Sequence, residues 1–176
     1  MTRPTLTLLA IAAAVMPATA QDPVDLNDLE MAHAAVTASN IDIAYAHLAL
    51  AFSETPAIRE FAQTMIRDHS AVNEQVFALA RRLGVQAQDN AFSRGLLEQA
   101  AGVKDEMSRL RGPALDRFYI ENEARYHQTV NGVVADAFIP NIDNPDVRSA
   151  FEGALTIFRG HQGHAERLVR SLGPSE

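Results

Sequence analysis

The chain has 176 residues, 47% of them apolar and 21% charged, with no cysteine and no tryptophan. That length suits one domain, or one domain plus a processed leader, and it can bury a core without covalent staples. The lack of cysteine excludes disulfides, thiolate metal ligands and thiol catalysis, and a net charge of −7 with no basic stretch argues against nucleic acid and anionic membrane surfaces as partners.

The first twenty residues read as an export signal. Arg3 supplies the positive start, Leu6 to Val15 the apolar stretch, and Ala18-Thr19-Ala20 the small-x-small cleavage site before Gln21. The apolar stretch is short for a bilayer span. With no cysteine after the cleavage site, lipid attachment there is excluded. Cleavage leaves residues 21–176 as a single domain that does not insert into a membrane. The expected location is a Gram-negative periplasm, or outside the cell.

The rest of the chain lacks the alternation of strands and reads as helix. The first helix is predicted from about Asp25 to Phe52. A short turn follows, in which Thr55 caps a second helix that starts at Pro56 and runs to Leu83 before Gly84. After a polar stretch from Gln86 to Asn90, Ser93 to Arg111 forms a further helix, interrupted or weakened at Gly102. Gly112-Pro113 breaks the chain. Another long helix spans Ala114 to Phe138, Pro140 to Pro145 is a loop, and a last helix runs from Asp146 to a stop at Leu172-Gly173-Pro174. Four long amphipathic helices joined in two short-turn pairs predict an all-α four-helix bundle, with the extra helix in the middle connection. That connection either crosses the bundle or lies along its side.

Histidines stand out on the inward stripes. The second helix repeats Ile58, Ala62, Met65, His69, Val72, Val76, Leu79, Leu83 at spacings of four and three. The last helix repeats Val147, Phe151, Ala154, Phe158, His161, Ala165, Leu168, Leu172. The long helix before it gives Ile120, Glu123, His127, Val130, Val134, Phe138. The three histidines lie about 13 to 15 residues into their helices, so at roughly 1.5 Å per residue they share one layer. Counting back from the first turn reaches Asp42 and Ile43, making Asp42 the carboxylate of the first helix that faces this layer; Glu123 lies one turn from His127. Three buried imidazoles require several partners or one shared cation. The candidate ligands of a transition metal are therefore His69, His127, His161, Asp42 and Glu123, and zinc, copper or iron would suit imidazole. The bland alternative is a polar layer of hydrogen-bonded histidines.

The remaining candidates are secondary. Met65 reads as core filling on the His69 stripe. His164 either assists His161 or faces water, His47 borders the core, and His33 is exposed. Asp68 points away from the stripe as a surface charge or an outer partner of the site. The pair of Glu-x-x-His motifs that a di-iron carboxylate site would need is absent, and Glu60, Glu74 and Glu166 sit off the stripes. No nucleophile elbow, P-loop or dinucleotide fingerprint occurs.

The stretch Ala62 to Asn73 containing Met65 and Asp68-His69, the stretch Phe118 to His127, and His161 followed by Ala165 resemble the exported bacterial proteins of domain-of-unknown-function family 4142. The likeness covers roughly Asp28 to Leu172. It implies a ferritin-like fold and no particular activity. Members often carry Glu-x-Glu in the first helix; here Asp42 matches the first acid and Ala44 replaces the second, which argues against a two-metal centre. The expected function is a periplasmic bundle that binds a transition metal through core histidines, in metal handling or stress tolerance. Two alternatives stay open: a metal-free structural or interaction bundle, including a homo-oligomer, and a metalloenzyme with an open coordination position.

Overall fold

Asn27 starts the first long helix by a reciprocal cap. Its side chain accepts from the Leu29 and Glu30 amides, and Glu30 reaches back to its backbone N–H. In the computed structural model, which describes residues 21–172, helix α1 therefore spans Asp28–Phe52, and Pro23–Asp25 before it forms a single 3-10 turn. The predicted start at Asp25 is three residues early because the cap lies at Asn27. Helices α2 (Pro56–Leu83), α3 (Ala91–Arg109), α4 (Gly112–Val133), the single turn α5 (Ile139–Asn141) and α6 (Pro145–Ser171) complete the described chain. Gly84 ends α2 at φ 68°, a left-handed conformation that glycine adopts without a Cβ penalty. Thr55 occupies the cap position of α2 without capping it, because its hydroxyl donates to Asp116 across the bundle end. The expected leader and the expected stop at Gly173-Pro174 lie outside the described residues.

Two further expectations change. Helix α3 continues through Gly102, and Gly112-Pro113 opens α4, where proline suits the first turn. The expected loop from Pro140 to Pro145 is partly helical. Between α4 and α5, Val134–Phe138 winds as a π turn, with the Ile139 amide bonding the Val134 carbonyl. Pro140 accounts for it: a proline lacks the N–H and crowds the carbonyl four residues back, and the wider turn relieves both.

The end of each helix fixes the topology. Asn90 and Gln88, ahead of α3, bond to Glu30 and Leu29 near the start of α1. Arg111, at the far end of α3, stacks on Phe52 at the end of α1. Helix α3 thus lies against α1 on the side of the bundle and carries the chain back to the end where α2 began, so α2 and α4 run in the same direction. Around the bundle the packed neighbours are α1 with α2, α2 with α6, α6 with α4, and α4 with α1. Helix α1 has little one-sided apolar character because three helices (α2, α3 and α4) cover it.

Two apolar clusters fill the interior. One includes Tyr45, Phe61, Met65, Leu115 and Tyr119 toward the α1–α2 turn; the other includes Met31, Val134, Phe138, Phe151 and Leu155 toward the opposite end. A buried polar layer lies between them. No helix among the described residues is long and apolar enough to cross a membrane.

Candidate metal centre

Four helices each deliver one buried polar side chain to mid-height: Asp42 from α1, His69 from α2, His127 from α4 and His161 from α6. Glu123, one turn before His127, adds a fifth. The stripe positions dictate this, since residues three and four apart share a helix face. The three imidazoles form a near-regular triangle with ring centroids 5.6, 5.4 and 5.4 Å apart. Phe158 stacks on His69 at 4.4 Å, with ring planes 10° apart, and fixes its tilt.

Each imidazole has one nitrogen held and the other free of any hydrogen bond. His161 Nε2 lies 3.0 Å from Asp68 Oδ2. A carboxylate only accepts, so the proton sits on Nε2 and Nδ1 presents a lone pair. His127 Nδ1 lies 3.1 Å from the Glu123 carbonyl, which leaves Nε2 with the lone pair by the same logic. His69 Nδ1 meets Ser39 Oγ at 3.2 Å. The remaining nitrogens, His69 Nε2, His127 Nε2 and His161 Nδ1, have no hydrogen-bond partner, and neither do the carboxyl oxygens of Asp42 and Glu123. Those atoms are seven of the twelve buried, unpartnered side-chain polar atoms among the described residues. Ordinary cores pair such groups, because leaving one unpaired costs about 1–3 kcal/mol.

The spacing distinguishes a polar layer from a ligand set. Asp42 Oδ2 is 3.5 Å from both His69 Nε2 and His127 Nε2. That is long for a hydrogen bond. It is close to the edge, about 3.3–3.4 Å, of a tetrahedron whose metal–ligand bonds are about 2.0–2.1 Å. Ligand atoms of His69, His127 and His161 fall within 4.8 Å of one another, as do those of Asp42, Glu123 and His127.

Electrostatics favour the same chemistry. Burial lowers His69 to about 3 and His127 to about 4, so both are neutral at pH 7, the form in which an imidazole can ligate a metal. Burial raises Glu123 well above the usual carboxylate range, with Asp42 reinforcing it; burial also raises Asp42, opposed by His127. Two facing carboxyls can hydrogen bond only when one holds a proton, which is what the raised values describe. Burial pushes Asp68 up, but hydrogen bonds from Arg67 and His161 outweigh it and hold the carboxyl below its usual value.

The five predicted residues thus meet in one buried layer, as two groups of three that share His127. Asp68, expected to point off the stripe, does so and meets His161 at the bundle surface. Three secondary histidines differ from expectation or resolve it. His33 is half-buried against Ser93 rather than exposed, because α3 covers that face of α1. His47 is exposed and borders no core. His164 is half-buried with its ring edge-on to Phe61 at 5.1 Å, one turn from the layer. Met65 is fully buried in the apolar cluster. Sequence reasoning missed Ser39, whose only signal was its place one turn before Asp42.

The model of the family named Domain of unknown function (DUF4142) matches residues 13–168, and the chain belongs to that family. No curated protein and no solved structure matches the chain.

Proposed function

We propose that this protein binds one divalent transition metal ion in the core of its bundle. His69 Nε2, His127 Nε2, His161 Nδ1 and Asp42 supply the ligands, and Glu123 is the adjoining carboxylate. The observation that carries this reading is the division of labour in the three imidazoles: each has one nitrogen anchored by an outer partner and the other unpartnered, ligand atoms of the three rings lie within 4.8 Å of one another, and Asp42 Oδ2 is 3.5 Å from His69 Nε2 and His127 Nε2. Metal-ligating histidines are held in this way, with a carboxylate or carbonyl fixing tautomer and ring orientation. Zinc, copper and iron all accept such a set. The export signal read in the first twenty residues supports a location in the periplasm or outside the cell, where metal handling or stress tolerance is the role proposed for this centre. The bundle resembles the ferritin-like class in carrying a centre between four helices.

Elemental analysis tests this reading. Tag-free protein, dialysed after purification, is expected to hold close to one ion per chain. His69→Ala is expected to lose it while circular dichroism shows retained helix. Wild-type protein that takes up no zinc, copper or iron, and whose melting ignores a chelator, would leave the metal-free structural bundle as the correct reading. The specific observation favouring the metalloenzyme alternative is a cavity that reaches two of the ligands.

A further inference from the structure

Helix α4 carries Tyr119, Glu123 and His127 at successive four-residue steps, so the three side chains share one face. All three are buried, with 0%, 0% and 1% of their surface exposed. Tyr119 sits in the apolar cluster toward the α1–α2 turn, its ring edge-on to Phe61 at 6.0 Å. A phenylalanine would fill that space equally well. The Tyr119 hydroxyl has no hydrogen-bond partner, whereas that of Tyr126 donates to the Ala38 carbonyl at 2.9 Å. A buried hydroxyl without a partner is uncommon, because it forfeits its bonds to water.

Matching acceptors stand one turn along the same face. Both Glu123 oxygens are unpartnered, and so are both oxygens of Asp42. Outside the imidazoles and these two carboxyls, the other unpartnered buried donor among the described residues is the Asn122 amide, on a residue that is only half-buried. Burial pushes Tyr119 well above the ordinary tyrosine value, and Glu123, then Asp42, push it further. The hydroxyl therefore keeps its proton and lies within the field of both carboxyls. Asp42 Oδ2 stands toward the imidazoles, 3.5 Å from both His69 Nε2 and His127 Nε2, which leaves Glu123 as the acceptor. We infer that Tyr119 is a positioning residue of the metal centre, whose hydroxyl donates to the Glu123 carboxylate when an ion is bound and holds it beside the ion. In the metal-free layer Glu123 faces Asp42 instead; an ion that engages Asp42 frees Glu123 for the phenol. This bond rests on the metal binding proposed above.

The test is ultraviolet difference absorption of the purified protein on addition of zinc, which has no absorption of its own there. A phenol that becomes a hydrogen-bond donor absorbs at longer wavelength. Zinc added to metal-free wild type is expected to shift tyrosine absorption in that direction, saturating at one ion per chain. Tyr119→Phe, which keeps the ring, is expected to lose the shift and to bind zinc about tenfold more weakly against a competing chelator, the lower end of the effect of outer partners. With chelator present it is expected to melt no lower than wild type, since the hydroxyl it removes is unpaired. A purely structural tyrosine would give the reverse, a lower melting temperature and unchanged zinc affinity. A shift that persists in Tyr119→Phe overturns the inference, and so does equal zinc affinity or a lower metal-free melting temperature. Zinc uptake by the wild type without any tyrosine shift also overturns it, and leaves the metal centre standing. A wild type that takes up no zinc overturns it too, and the centre falls with it if copper and iron are also refused.

Discussion

Asp42→Asn separates a ligand from a structural polar group because the two roles predict opposite signs. In the metal-free protein the Asp42 carboxyl is fully buried, its oxygens have no donor, and Glu123 faces it. An asparagine amide removes the charge and can donate across the 3.5 Å gaps to His69 or His127. One new buried hydrogen bond contributes about 1 kcal/mol, and relieving an unsatisfied acceptor adds about 1–3 kcal/mol. Part of that second gain is already realised when Asp42 and Glu123 share a proton, so the net expectation is a stabilisation of about 1–2 kcal/mol. For a chain of this size each kcal/mol moves the melting temperature by about 2–4 °C, which gives a rise of about 2–8 °C. With zinc the order reverses. At a free metal concentration of about 100 Kd, the wild type gains about 2.7 kcal/mol, or about 5–11 °C. Losing an anionic ligand is expected to weaken binding at least about 100-fold, the upper end of the effect of outer partners alone. At the same zinc concentration the variant then gains only about 0.4 kcal/mol. The assay is thermal melting by circular dichroism, with chelator and with zinc. A metal-free variant that melts below wild type would show that the Asp42 carboxyl is stabilised in the resting core by more than the proton it shares with Glu123, and the metal centre would lose its physical basis.

Three other outcomes are expected. In metal-free protein His69 and His127, lowered to about 3 and 4 from 6.5, contribute stability that is lost as pH falls from about 6.5 toward 4, whereas the raised carboxyls of Asp42 and Glu123 contribute in the opposite direction, gaining as pH falls. Glu123→Gln removes one opposing contribution, so its melting temperature should fall more steeply than that of wild type between pH 6.5 and 4.5; parallel profiles would contradict the assignment of a protonated Glu123. Asp68→Asn leaves a neutral acceptor on His161 Nε2, and zinc affinity measured against a competing chelator should drop about 10–100-fold with little change in metal-free melting. Phe158→Ala removes the ring stacked on His69 and a buried side chain, so denaturant unfolding with chelator present should show a loss of about 3–5 kcal/mol together with weaker zinc binding; normal zinc affinity would mean that the stack does not orient His69.

The helices and the layer were legible in the sequence for one reason: periodicity reports which face is buried. The stripes on α2 and α6 each carry a single strongly polar member, His69 and His161, and the structure buries both. Asp42 was found by counting height along a bundle whose helices share their ends. What periodicity does not report is a contact between helices far apart in sequence. His33 was misplaced because α3 folds back over α1 and brings Ser93 to within 2.9 Å of it, sixty residues away. His47 was misplaced because α1 is apolar on nearly every side, so four-residue spacing from Ile43 does not select one face. The π turn at Val134–Phe138 follows from Pro140, but a proline at a helix end reads first as a stop. Ser39 carried no signal beyond its spacing, because a serine within an alanine-rich helix resembles any small packing residue.

Charge decides how many ions the layer can hold. His69 and His127 are neutral at pH 7, so the buried charge available to balance a cation comes from Asp42 and Glu123. Asp68 is partly exposed and already paired with Arg67, and its hydrogen bond to His161 orients the ring without adding charge to the interior. One divalent ion with both carboxylates ionised leaves the layer neutral. A second divalent ion would leave two uncompensated positive charges between two apolar clusters, a desolvation cost of several kcal/mol per ion. Ala44, two residues after Asp42, adds no acid to this balance. The same arithmetic explains the resting state: without the ion, two facing carboxyls cannot both ionise, and a proton shared between Asp42 and Glu123 takes the place of part of the metal's charge.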